Sequence, residues 1–124
     1  MDKLQTFLRD AARKDYRLGQ WDCGLWVADW YIAATGKPDP AAHLRGARYT
    51  EAELARHMRR IIKGLGLKRT SEPRAGDIGI AVVRRRHIVG AIFTGNWWVV
   101  LTNERGIGGI PPKCLRFIAA WRLE

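Results

Sequence analysis

Apolar positions recur at helical spacing through the first half of the chain and give way to short β-branched runs in the second. Leu4, Phe7, Leu8, Ala11 and Ala12 share one face over residues 3–18, which predicts a first helix ended by Gly19. A second helix is predicted from Asp22 to about Thr35, with Asp22 as N-cap and Gly36 followed by Pro38 as the stop. The segment KPDPAAHLRG is turn-rich, with room for a short helical turn. Thr50 and Glu53 then form a capping box that opens a third helix through Leu54, Met58, Ile61 and Ile62. Gly64 and Gly66 close it.

From Gly76 the period changes. IGIAVV (78–83) reads as a core strand, and Arg84, Arg85 and Arg86 follow as a charged turn. HIVGAIF (87–93) and WWVVL (97–101) flank Thr94-Gly95-Asn96, a hairpin turn. Trp97 and Trp98 are consecutive, so in a strand one enters the core and the other faces outward. The stretch NERGIGGIPP reads as a loop leading to a last segment, Leu115 to Leu123. Helices first and strands second predict a single α+β domain with a short antiparallel sheet.

Length and composition agree with one globular domain: 124 residues, 47% hydrophobic and 27% charged. No apolar run is long enough to cross a membrane, so no membrane insertion is expected. Asp2, Lys3, Arg9 and Asp10 interrupt the N-terminal segment, which therefore reads as no signal peptide and implies synthesis in a cytoplasm. Lys and Arg total 22 against 12 Asp and Glu, a net charge of +10. That surplus favours polyanions, namely nucleic acid, anionic envelope polymers or an acidic protein partner, unless it is a solvated basic surface. Arg45, Arg48, Arg56, Arg59, Arg60, Arg69 and Arg74 join the 84–86 run as candidates for such contacts. The charge permits a nucleic-acid partner, although no binding motif accompanies it.

Chemistry concentrates in WDCGLWVADW, residues 21–30. With Asp22 as the cap, Cys23 is the first helical residue, and its sulfur faces unpaired amides at the positive end of the helix dipole. Gly24 leaves space for a substrate backbone and offers another amide. The competing reading is a small apolar side chain packed among Trp21, Trp26 and Trp30. Cys114, in a loop after Pro111-Pro112-Lys113, has no such setting and reads as structural. Two thiols 91 positions apart make no zinc site, and a cytoplasmic origin argues against a disulfide. No metal or other cofactor is expected.

A thiolate nucleophile needs a histidine to take its proton. His43 lies in the turn-rich segment and His57 on the basic face of the third helix. His87 opens an apolar strand, from which a side chain can project toward a facing helix start. It is the best candidate base, the other reading being a strand-edge histidine beside three arginines.

W-D-C-G at a helix start, then R-A-G-D-I-G-I-A-V-V and H-I-V-G-A-I-F-T-G-N, resembles the NlpC-type papain-like cysteine peptidases over about residues 18–105. The resemblance implies a papain-like fold, Cys23 as nucleophile, His87 as base and Thr102 or Asn103 as the polar residue that orients the imidazole. Backbone amides near Cys23 would stabilise the oxyanion. The chain is also similar, through W-D-C-G-L-W-V-A-D-W, T-G-K-P-D-P-A-A, R-G-A-R-Y and A-A-W-R-L, to a small branch of that fold found in phage and prophage tail modules. This implies a tail-tip component located in the virion tail, with other tail-tip proteins as partners and peptidoglycan as the substrate of an enzymatic version. One departure stands out. The peptidases usually read H-V-G-I-Y, whereas His87 is three positions before Gly90 and Ile88 occupies the expected place. A one-residue slip turns a strand side chain to the other face, so either a bulge returns His87 to the cleft or the site lacks its base.

Overall fold

The computed structural model describes residues 2–83, 87–102, 104–115 and 117–123. Three helices precede the sheet: α1 (Lys3–Ala11), α2 (Cys23–Thr35) and α3 (Glu51–Gly64). The described strands are β1 (Arg69–Thr70), β2 (Ile78–Val83), β3 (His87–Phe93), β4 (Trp98–Leu101), β5 (Ile107–Ile110) and β6 (Phe117–Trp121). They form one antiparallel sheet in the order β1-β6-β2-β3-β4-β5. The architecture is therefore α+β, as the pattern of the sequence predicts.

The capping chemistry sets the helices where the sequence places them. Asp22 caps α2 and Gly36, at φ 69°, ends it in the left-handed conformation glycine tolerates. Thr50 and Glu53 exchange both bonds of the capping box of α3. The turn-rich segment holds a single 3-10 turn, Ala42–Leu44. The first helix, in contrast, stops at Ala11 rather than near residue 18. Beyond it the apolar spacing lapses, and the backbone is taken up elsewhere. The Tyr16 amide donates to the Glu104 carbonyl, Gly106 donates back to Lys14, and Asp15 bridges Arg105.

Two strands escape the sequence pattern. IGGI (107–110), within what reads as a loop, pairs along the whole of β4 as β5. Arg69–Thr70 pairs with the last strand as β1. Residues 84–86 lie outside the described residues, so the charged turn between β2 and β3 is not assigned.

The α2 helix is buried on nearly every side, and its tryptophans tie it to the strands. Trp26 Nε1 donates to the Gly90 carbonyl at 3.1 Å and Trp30 Nε1 to that of Gly76 at 2.7 Å. Phe7 of α1 packs against Trp21, Trp26 and Trp30 on one side. On the outer face of the sheet, Ala91, Phe93, Trp98 and Ala120 form a second buried cluster. Trp98 is 1% exposed and its neighbour Trp97 48%, the split that consecutive strand positions require.

Candidate active site

Asp22 holds the start of α2 with both carboxylate oxygens. Oδ1 accepts from the amides of Gly24 and Leu25 at 3.1 and 2.9 Å, and Oδ2 accepts from the Gly19 amide at 2.9 Å and from the Tyr49 hydroxyl. Asp22 is fully buried, so these four donors replace the water it loses on folding. Burial, followed by the hydrogen bond to Asp22, raises Tyr49 above the usual tyrosine range. The Gly24 amide is thus spent on the cap. A Cβ built on Gly24 would stand 3.2 Å from Leu54 Cδ1, so this glycine admits α3 rather than a substrate backbone.

Cys23 follows as the first helical residue and is 4% exposed. Its sulfur lies 4.0 Å from the Tyr16 hydroxyl and receives the Gly90 backbone N–H. Tyr16 donates to Glu51 Oε1 at 3.0 Å. Burial pushes the Cys23 thiol up to about 11, over the opposing effect of Tyr16 and Gly90, with Glu51 and Asp22 raising it further. Burial disfavours the thiolate at this helix start. Two of its amides are taken by Asp22, and the carboxylates nearby oppose a second negative charge. Tyr16 is itself raised, by burial first and then by the charges of Cys23 and Glu51.

His87 opens β3 and is exposed. The register between β2 and β3 runs unbroken from Val83↔His87 to Ile78↔Ile92, with no bulge. A Cβ on Gly90 would collide with the Cys23 carbonyl oxygen, so Gly90 faces the helix layer. By alternation Ile88 shares that face and His87 lies on the opposite one. Among the described residues, Tyr16 and the Gly90 N–H are the partners of the Cys23 sulfur, and the His87 imidazole is not.

Cys23, His87 and Thr102 nevertheless line one cleft of about 260 Å³, whose other walls are apolar, Val89 and Leu101 among them. The cleft opens because β3 and β4 pair only at Ile92↔Val99 and Phe93↔Trp98, which leaves the first half of β3 apart from β4. The Thr102 hydroxyl is committed to its own turn, donating to the Arg105 carbonyl at 2.7 Å. Asn103, the other candidate for orienting the imidazole, lies outside the described residues. His43 is exposed, and His57 is half-buried with its ring 5.2 Å from that of Tyr49. Cys114 is exposed on a 3-10 turn.

Tyr16, which contacts the thiol, and Glu51, which holds the Tyr16 hydroxyl, were not singled out by sequence reasoning. Nothing local marks them, since Tyr16 sits in the irregular segment after α1 and Glu51 reads as a first-turn acid of α3. Among the basic candidates, Arg45 is already engaged, bonding Asp29 at 2.6 Å and Asp39 at 2.7 Å. No group of His, Cys, Asp and Glu among the described residues is arranged to hold a metal ion. No helix among them is long and apolar enough to cross a membrane. A family model described as a domain of unknown function, DUF6950, matches residues 1–123. None of the curated proteins matches the chain.

Proposed function

The chain belongs to the DUF6950 family, and for it we propose a structural role in a phage or prophage tail tip, on an NlpC-type papain-like scaffold whose cysteine is packed rather than catalytic. The observation that carries the second half is the state of Cys23: buried, hydrogen-bonded to Tyr16 and Gly90, and pushed up to about 11. At that value roughly one molecule in ten thousand holds a thiolate at pH 7, against about one in thirty for a free cysteine. What further supports this reading is that His87 takes the β3 position facing away from Gly90 and is not a hydrogen-bond partner of the sulfur. What supports the tail setting is the sequence resemblance through WDCGLWVADW, TGKPDPAA and the closing AAWRL. In this role the protein is made in the bacterial cytoplasm, assembles with other tail-tip proteins, and serves tail assembly and penetration of the host envelope.

One observation favours a second reading. Cys23, His87 and Thr102 share a cleft, as the parts of a cysteine peptidase acting on peptidoglycan would. That version has Cys23 attack the carbonyl and His87 carry the proton. A basic nucleic-acid-binding protein is a third reading, and it rests on charge alone.

The experiment uses the phage or prophage that carries the gene. Purified particles are expected to contain the chain, deletion of the gene is expected to abolish productive tails, and particles made with Cys23→Ser are expected to infect as wild type does. Absence of the chain from particles overturns the tail role. A Cys23→Ser defect as severe as the deletion, in particles that assemble normally, overturns the structural reading in favour of the peptidase.

A further inference from the structure

The helix-side face of the sheet is not covered evenly. Ile78, Ile80 and Val82 of β2 share this face with Ile88, Gly90 and Ile92 of β3, by their register and by the approach of Cys23 and Val27 to Gly90. Burial is complete where α2 lies over Gly90 and Ile92, and it falls to partial at the facing pair Val82 and Ile88. Trp121 continues the same face on β6, since it stands opposite Ile78, and it too is only half-buried. Here the helix layer gives out while the sheet remains apolar, leaving a groove of about 510 Å³.

Cations border this groove from two directions. Arg59 and Lys63 come from successive turns of α3, which packs against β3. Arg69 comes from β1, at the far edge of the sheet, and its guanidinium stands over the Trp121 ring, 5.4 Å from the centroid. Among the described residues no carboxylate is within ion-pairing distance of any of the three, and none lines the groove. Charges on both sides of an aliphatic floor call for a ligand apolar in its middle and anionic at both flanks.

We propose that this groove binds an acidic peptide segment of a protein partner, with an aliphatic side-chain pair seated on Val82, Ile88 and Trp121 and carboxylates on either side meeting Arg59, Lys63 and Arg69. A fatty acid carries its charge at one end and leaves half of the rim unpaired. A phosphate backbone gains nothing from an aliphatic floor, and Trp121, the aromatic ring among the described residues of the groove, is already covered by Arg69. The net charge of +10 steers acidic partners toward the whole surface, and the groove gives one of them a specific seat. The inference does not depend on the chemistry of Cys23, nor on a tail setting.

The test is fluorescence anisotropy on the intact chain with a fluorescein-labelled peptide containing Glu-Glu-Leu-Leu-Glu-Glu. A Gln-Gln-Leu-Leu-Gln-Gln counterpart, sodium dodecanoate and a labelled DNA oligonucleotide serve as comparison ligands. The acidic peptide is expected to bind about tenfold or more tightly than the glutamine peptide, and a variant carrying Arg59→Glu with Lys63→Glu is expected to lose that advantage. Both positions are exposed, so the thermal unfolding of the variant should match wild type. Val82→Ser is expected to weaken both peptides together, because it strips the floor and leaves the rim. Equal binding of the two peptides, indifference to charge reversal, or tighter binding of dodecanoate or DNA at these residues overturns the proposal.

Discussion

Replacing Asp22 by alanine is expected to destabilise the domain by about 3 kcal/mol. A lost N-cap accounts for about 1 kcal/mol of that, and the lost bonds from the Gly19 amide and the Tyr49 hydroxyl to a buried carboxylate for about 1.5–3 kcal/mol, the Gly19 amide keeping the Tyr49 oxygen, 3.1 Å away, as its remaining acceptor. Asp22 serves both purposes at once. It caps the Gly24 and Leu25 amides and also accepts from the buried Gly19 amide and the Tyr49 hydroxyl. Tyr49 is only half-buried, and its hydroxyl is expected to recover a water, which keeps the total below the simple sum. Asp22→Asn retains the cap and sets its NH2 against the Gly19 amide, so about half of the loss is expected. Urea unfolding of the three proteins at neutral pH measures both, and a loss under about 1 kcal/mol for Asp22→Ala would show that the carboxylate is no hub.

Gly90→Ala is expected to cost a similar amount, about 3 kcal/mol, through overpacking. The added methyl would meet the Cys23 carbonyl oxygen and stand 2.8 Å from Val27 Cγ2 and 3.0 Å from Met58 Sδ. The methionine can turn aside, but the helix backbone cannot, because Asp22 and the Trp26–Gly90 bond hold it against the strand. The matched control is Gly64→Ala at the end of α3, where a Cβ meets nothing within 4 Å and the expected change is within about 0.5 kcal/mol. If both substitutions cost the same, the close approach of α2 to β3 is not what Gly90 secures.

How much of this was readable in advance follows from how local each cause is. Asp22, Gly36 and the Thr50–Glu53 box act on the amides next to them, so both ends of α2 and the start of α3 were legible. The end of α1 was not, because residues 104–106 capture the chain after Ala11. β5 was hidden for a similar reason. Gly108 and Gly109 carry no strand propensity, and their place is set by pairing with β4 and by the Trp97 ring 3.9 Å from where a Gly109 Cβ would stand.

The candidate site divides in the same way. The position of Cys23 at a helix start was legible from the Asp-Cys pair, but its state was not. Tyr16 and the Gly90 amide reach the sulfur, Glu51 holds the Tyr16 hydroxyl, and these three separate parts of the chain act on whether a proton stays on it. The spacing of His87 to Gly90 posed a choice between bulge and slip, which only the pairing of β2 with β3 resolves: no bulge, and the imidazole on the face away from Gly90.

The most direct measurement is the pH titration of the Cys23 13Cβ resonance in a Cys114→Ser background, with and without His87→Ala. The resonance is expected to keep its thiol position through about pH 9, to move only as pH approaches about 11, and to be unchanged by His87→Ala. A midpoint near or below neutral pH that rises when His87 is removed would contradict the packed thiol and establish a working Cys23–His87 pair.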